Sequence, residues 1–225
     1  MGSLLSLLLS AAAVAHPQPG PAAPAHVIAH VRPGGVVALR ARPFGPVVAR
    51  VGALTSFGSQ HTLGVVATQR GRWLAVTEPG VERNRVVWVD ARAGWLRYSH
   101  TRLELDVDLS DRTLTVRRGT IVVRRTAVGV GAPASPTPTG HFAVTDKLDG
   151  ANYSPAYGCC ILALSAIQPN LPHGWAGGDR IAIHGTLSPA DFGQAVSVGC
   201  IHANEGDLRW LMRVVPLGTP VVIRP

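Results

Sequence analysis

Short apolar runs, cut apart by glycine and proline, restrict this chain more than any other feature. Its 225 residues include 25 Gly and 18 Pro, a density that breaks long helices and supplies turns. Over residues 26–100 the runs fall at 36–39, 47–51, 63–67, 73–76 and 86–89. Each is bounded by Gly, Pro or charged residues, as the strands of a small all-β unit would be. Leu103-Glu104-Leu105-Asp106-Val107-Asp108-Leu109 alternates apolar and acidic residues, which predicts a strand with one buried and one wet face. Turns at 110–112 and 117–119 lead to strands over 113–116 and 120–128, an antiparallel meander that 141–145 continues. Helical spacing appears only late. Asn204 caps a short helix, with Asp207 three residues on and Leu208, Leu211, Met212 and Val215 forming its apolar stripe. Pro216 to Pro220 ends it, and 221–223 returns as a strand. The chain reads as mainly β.

A hydrophobic content of 46% supports a buried core. The net charge is +8, carried by Arg apart from Lys147. The plainer reading is a compositional bias towards Arg; the functional one is attraction to an anionic polymer. A basic helix, zinc-ligand spacing and an aromatic RNA-binding string are all missing, so no nucleic-acid partner is expected. Residues 1–25 carry no Asp, Glu, Lys or Arg. The apolar run 4–15 is too short to span a bilayer and ends in Ala13-Val14-Ala15, which reads as a secretory signal peptide followed by a Pro/Ala-rich linker. The alternative is a disordered leader, and membrane association is left open. The expected divisions are 1–25, 26–100 and 101–225. Gly71 to Val76, followed by Val87-Trp88-Val89, resembles small bacterial β-barrel modules of Src-homology type, with Trp73 and Trp88 read as core residues. Cys159 and Cys160 are adjacent, where a bridge is rare. They are expected to be small core residues on opposite faces of a strand over 160–164.

Cys200 carries the chemistry. It stands in Ser197-Val198-Gly199-Cys200-Ile201-His202-Ala203-Asn204, sixteen residues after His184 in Ile181-Ala182-Ile183-His184-Gly185-Thr186. A histidine at the end of an apolar strand can take a thiol proton, and the thiolate can attack a carbonyl. The turn around Gly199 can offer N–H groups to the oxyanion, and Gly199 would keep the approach to sulfur clear.

From about Leu103 to Ile223 these motifs resemble the L,D-transpeptidase catalytic domain, a YkuD-like β-sandwich with a mixed sheet and a short helix after the cysteine. Thr137-Pro138-Thr139-Gly140, the Asn204-Glu205-Gly206-Asp207-Leu208 string and Gly218 to Ile223 belong to the same pattern. Val198 stands where the family has His, and His202 where it has Arg. The resemblance implies Cys200 as nucleophile, His184 as base with its second ring nitrogen held by the Gly185 carbonyl, and oxyanion donors from Gly199 and Cys200. It also places a lid over the groove within residues 151–172. An ordinary surface loop carrying one strand is the equal alternative there. Ser197, His202, Asn204 and Tyr153 are the candidates for holding substrate, although Ser197 also suits a turn hydrogen bond and Asn204 a helix cap. The implied substrates are peptidoglycan stem peptides, with carbapenem β-lactams as inhibitors. No cofactor is expected, and no metal, since His100, His141 and His173 lack ligand spacing. Two further readings stay open: an L,D-carboxypeptidase with water as acceptor, and a wall-binding protein whose fold no longer turns over.

Overall fold

The computed structural model describes residues 25–81, 84–175 and 178–225. Apart from Ala25, the expected leader and linker lie outside them. The first seven strands are β1 (His26–Val31), β2 (Val37–Arg40), β3 (Val47–Val51), β4 (Thr62–Gln69), β5 (Trp73–Thr77), β6 (Val86–Asp90) and β7 (Leu96–Thr101). They form one sheet in the order β3-β2-β6-β5-β4-β1-β7, antiparallel throughout. Its own core includes Val31, Leu39, Leu63, Val76 and Val89. Period-2 alternation brings Val37 and Leu39, then Val87 and Val89, to the same side. That alternation corrects one expectation: Trp73 is buried, but Trp88 lies on the face opposite its two valine neighbours and is only half-buried.

The second sheet draws on β8 (Leu103–Asp108), β9 (Thr113–Arg118), β10 (Ile121–Ala127), β12 (Gly140–Asp149), β13 (Cys160–Ile167), β14 (Arg180–His184), β16 (Ile201–His202) and β17 (Pro220–Arg224). Short β11 (Val130–Gly131) and β15 (Ala195–Ser197) pair with each other in parallel, and α1 spans Glu205–Val214. The sheet order is β10-β9-β8-β17-β12-β13-β14-β16. β8, β9 and β10 form the expected meander, but β12 does not continue it. The last strand, β17, inserts between β8 and β12, parallel to one and antiparallel to the other.

That insertion also overturns the wet face of β8. Asp106 and Asp108 are only 9% and 8% exposed, because β8 has neighbours on both sides and arginines lie across its acidic face. Arg224 donates from Nε to Asp106 at 2.8 Å and lies 3.0 Å from Asp108 through Nη1, while Arg117 stands 3.7 Å from Asp106. Opposite charges allow the carboxylates to be buried at a cost that isolated charges would not tolerate.

The two sheets meet where small residues permit it. A side chain at Gly64 of β4 would collide with Ala143 of β12 and the Gly218 carbonyl. Around this contact Thr77 bonds Ser165 (2.7 Å), and the Asn84 amide pairs with both backbone groups of Ile167 (2.7 and 2.9 Å). Helix α1 forms as its spacing predicts, with Leu208 and Leu211 buried and Lys147 donating to the Met212 and Val215 carbonyls at its C-terminal end.

Cys159 and Cys160 are not separate core thiols: they form a disulfide. Strand alternation does not force them apart because Cys159 sits in the turn after Gly158, before β13 begins. Cys200 is the free cysteine. The segment 151–172 divides between the two expectations. Its middle is β13, a central strand, while short 3-10 turns at Gly150–Asn152 and Pro155–Tyr157 flank the groove.

Candidate active site

Alternation on two short strands assembles the site. On β14, Ile181 and Ile183 enter the core, which turns Arg180, Ala182 and His184 to the other face. Parallel β16 pairs Ile183 with Ile201 and His184 with His202. Ile201 is also core, so Cys200 and His202 emerge on the face that carries His184. Cys200 thereby comes level with Ala182, one strand spacing away. All of these side chains line a cleft of about 530 Å³, walled by Tyr153, Tyr157, Leu171, Trp175 and Leu187.

His184 is buried, and its Nδ1 donates to the Gly185 carbonyl at 2.6 Å. That bond assigns the proton to Nδ1 and leaves Nε2 as the lone pair. Tyr157 meets the ring edge-on at 4.7 Å between centroids. Gly185 is confined from the other side. Its N–H donates to the Tyr157 carbonyl (2.8 Å), and a Cβ there would lie 2.9 Å from both that oxygen and the Gly158 Cα. Burial, reinforced by the neighbouring His202, pushes His184 down to about 4, with the Gly185 bond acting the other way. Burial likewise pushes the Cys200 thiol up to about 11. At neutral pH the resting pair is therefore an uncharged thiol and an uncharged imidazole.

The Cys200 turn is stapled from several directions. Ser197 Oγ donates to the Cys200 carbonyl (2.5 Å) and accepts from the Gly199 N–H (3.1 Å). Thr137 Oγ1 donates to the Gly199 carbonyl and accepts from the Gly131 N–H, each at 2.8 Å. Gln168 Nε2 donates to the Ser135, Pro136 and Val198 carbonyls (3.1, 3.0 and 3.2 Å).

Several expected roles change. Gly199 N–H is committed to Ser197, so of the two expected oxyanion donors the Cys200 N–H is the one left. Glycine is required at 199 because φ is +110° and a Cβ would strike Gln168 Nε2 at 2.2 Å, rather than to open a path to sulfur. Ser197 lines the cleft, but its hydroxyl is spent inside the turn. Asn204 does not line the cleft. Its Oδ1 accepts from Asp207 N–H at 2.9 Å as the N-cap of α1. Tyr153 does line the cleft, half-exposed, beside Phe57 of the β3–β4 loop.

His202 lies 5.0 Å from the His184 ring and holds Asp191 Oδ2 through Nδ1 at 2.8 Å; Thr186 Oγ1 donates to the same oxygen at 2.6 Å. The Thr186 bond and the histidine keep the Asp191 carboxyl below the usual carboxylate range. Sequence reasoning missed Asp191, Gln168, Phe57 and Arg180. For Arg180 a signal existed: it precedes His184 by an even number of strand positions, so both share a face. The other three lie in loops or at a strand end, where no periodicity marks them.

The domain is mainly β, with a buried histidine and a turn-borne cysteine lining one cleft. A family model described as the L,D-transpeptidase catalytic domain, YkuD, matches residues 102–223, and the chain belongs to that family. The YkuD proteins of Bacillus subtilis (strain 168) and Bacillus licheniformis are each 32% identical to it, over 117 and 119 residues, or 52% and 53% of this chain. The matches span 63% and 64% of those proteins, less than two thirds of their length. Similar solved structures include an L,D-transpeptidase from Mycobacterium tuberculosis H37Rv (20% identity, TM-score 0.46, covering 67% of this chain and 76% of that one). Another is an L,D-transpeptidase from Mycobacterium smegmatis (17%, TM-score 0.44, covering 72% and 81%).

Proposed function

We propose that this protein is a peptidoglycan L,D-transpeptidase that acts through a Cys200 thioester. The observation that carries the reading is that Cys200, in the turn just before β16, and His184, at the end of neighbouring β14, line one cleft, with the His184 tautomer set by the Gly185 carbonyl. As the donor tetrapeptide stem binds, His184 Nε2 takes the Cys200 proton while sulfur attacks the carbonyl of the diamino acid's L-centre. The tetrahedral oxyanion is met by the Cys200 N–H. The C–N bond to the terminal D-Ala then breaks, and the leaving amine takes the proton from His184. A side-chain amine of a neighbouring stem attacks the thioester, giving its proton to His184, and the new amide forms as the Cys200 thiol is restored.

The Gly185 carbonyl does the orienting work that a carboxylate does in other triads, without a buried negative charge. That choice suits a resting neutral pair. A carboxylate at Nδ1 would favour imidazolium, whereas a carbonyl supports the neutral base. Carbapenems should acylate the same sulfur, and the apolar run at 4–15 supports an extracytoplasmic location, where such a substrate lies.

The test is intact-protein mass after mixing the purified protein with a disaccharide tetrapeptide. Wild type and Cys159→Ser/Cys160→Ser should gain an acyl adduct and release D-Ala, and Cys200→Ala should do neither. Unchanged D-Ala release by Cys200→Ala would refute the mechanism. Adding an amine acceptor separates cross-link formation from hydrolysis.

A further inference from the structure

A donor of this kind ends in a free carboxylate one residue beyond the carbonyl that sulfur attacks. The cleft must meet that charge somewhere, and the family's usual arginine after the cysteine is here His202, whose Nδ1 is already engaged with Asp191. Among the described residues lining the cleft, one Arg or Lys occurs: Arg180. It stands on the same face of β14 as His184, on the other side of Ala182, and Ala182 is level with Cys200. The Arg180 carbonyl itself lies 3.8 Å from the Cys200 sulfur. Two strand positions, roughly 6.6 Å of backbone, separate Arg180 from the level of the sulfur.

The guanidinium's hydrogen bonds to protein fall on one edge, and Asp146, Glu78 and cleft-lining Asp179 are the carboxylates around it. Nη1 donates to Thr145 Oγ1 (2.9 Å) and the Leu164 carbonyl (3.3 Å), and Asp146 Oδ2 stands 3.5 Å from the same nitrogen. No protein acceptor among the described residues takes Nε or Nη2, and neither is sealed from solvent. Phe57 lies against the guanidinium, 5.4 Å from ring centroid to Cζ. Phe57 reaches the cleft from the first sheet because Thr55 gathers its loop. Thr55 Oγ1 accepts from the Phe57 and Ser59 N–H groups and donates to buried Asp146 Oδ1 at 2.5 Å. The support on Nη1 and the ring against the plane leave the Nε/Nη2 edge presented as a two-pronged fork, which matches a carboxylate.

We infer that Arg180 binds the terminal carboxylate of the donor stem, and that the 55–59 loop of the first sheet holds it in place. This rests on the acyl-transfer function proposed above. It makes the active site a product of both sheets.

The test compares two donors, the tetrapeptide stem with its free terminal carboxylate and the same stem ending in a carboxamide, by the rate of acyl-adduct formation on Cys200. Wild type should prefer the carboxylate on the order of ten- to hundred-fold, the range of a charge-assisted hydrogen bond. Removing Arg180 alone would strand the buried Asp146 charge and could unfold the chain. The informative variant is therefore Asp146→Asn/Arg180→Gln, with Asp146→Asn as its control and a thermal melt on each. The double variant should lose the preference, its rate with the carboxylate donor falling to its rate with the carboxamide; Asp146→Asn should keep the preference. A double variant that still discriminates, or one that slows both donors equally, would overturn the role of Arg180 while leaving the transpeptidase reading intact. Wild type that acylates with neither donor would overturn both.

Discussion

The protonation state of Cys200 can be read directly from its rate of alkylation. Burial pushes this thiol up to about 11 and His184 down to about 4. A thiolate–imidazolium pair of the kind found in other cysteine enzymes would require the reverse order. At pH 7 the thiolate fraction should be about 10⁻⁴, against about 10⁻² for a thiol at the ordinary value of 9.0. The reaction of Cys200 with iodoacetamide should therefore run about a hundredfold slower than that of an exposed cysteine, and should climb close to tenfold per pH unit from pH 6 to 10. Restricted access to the cleft would lower every point equally and leave the slope intact, so the slope is the diagnostic quantity. The assay is mass-resolved labelling without reductant, which leaves Cys159 and Cys160 bonded and silent. His184→Ala should follow the same slope. A plateau in the wild-type rate between pH 5 and 8, lost in His184→Ala, would refute the reasoning, because only a preformed ion pair produces it.

Two further outcomes follow from the same geometry. His184 titrates lower folded than unfolded, so its contribution is fully present above pH 6.5 and is lost as pH falls towards 4, where the unfolded chain binds a proton that the folded one refuses. Urea unfolding should show a loss of ~3 kcal/mol over that window, flattened in His184→Gln; an unchanged pH profile in the variant would contradict the buried neutral imidazole. Asn204→Ala should cost about 1 kcal/mol of stability as a lost helix cap while leaving the acylation rate of Cys200 unchanged; a large loss of rate with normal stability would restore Asn204 to the substrate site.

Local sequence patterns made much of this protein legible. The runs at 36–39, 47–51, 73–76 and 86–89 became β2, β3, β5 and β6 within a residue or so, because short apolar runs bounded by Gly, Pro or charged residues mark strands over a few positions. Asn204 and the Leu208/Leu211 stripe specified α1 for the same kind of reason. By contrast, β1 (HVIAHV) and β7 (LRYSHT) went unread, since their histidines, arginine and tyrosine blur the pattern. The disulfide was missed because pairing of neighbours depends on where the turn ends, and the turn here runs through Cys159 to end just before the strand begins at Cys160.

Local sequence marks the candidate atoms: one thiol in a Gly-Cys turn, and one histidine closing an apolar strand beside a glycine. Composition and local periodicity carry that much because they act over a few residues. Tertiary structure decided what those atoms meet. Only the pairing of β16 with β14 puts Cys200 beside Ala182, between His184 and Arg180. Only the insertion of β17 buries Asp106 and Asp108 under Arg224. Only the packing of the first sheet on the second carries Phe57 across to Arg180, 123 positions away in the chain. Contacts at such separations are set by which faces bury together, a property of the whole chain that no short window contains.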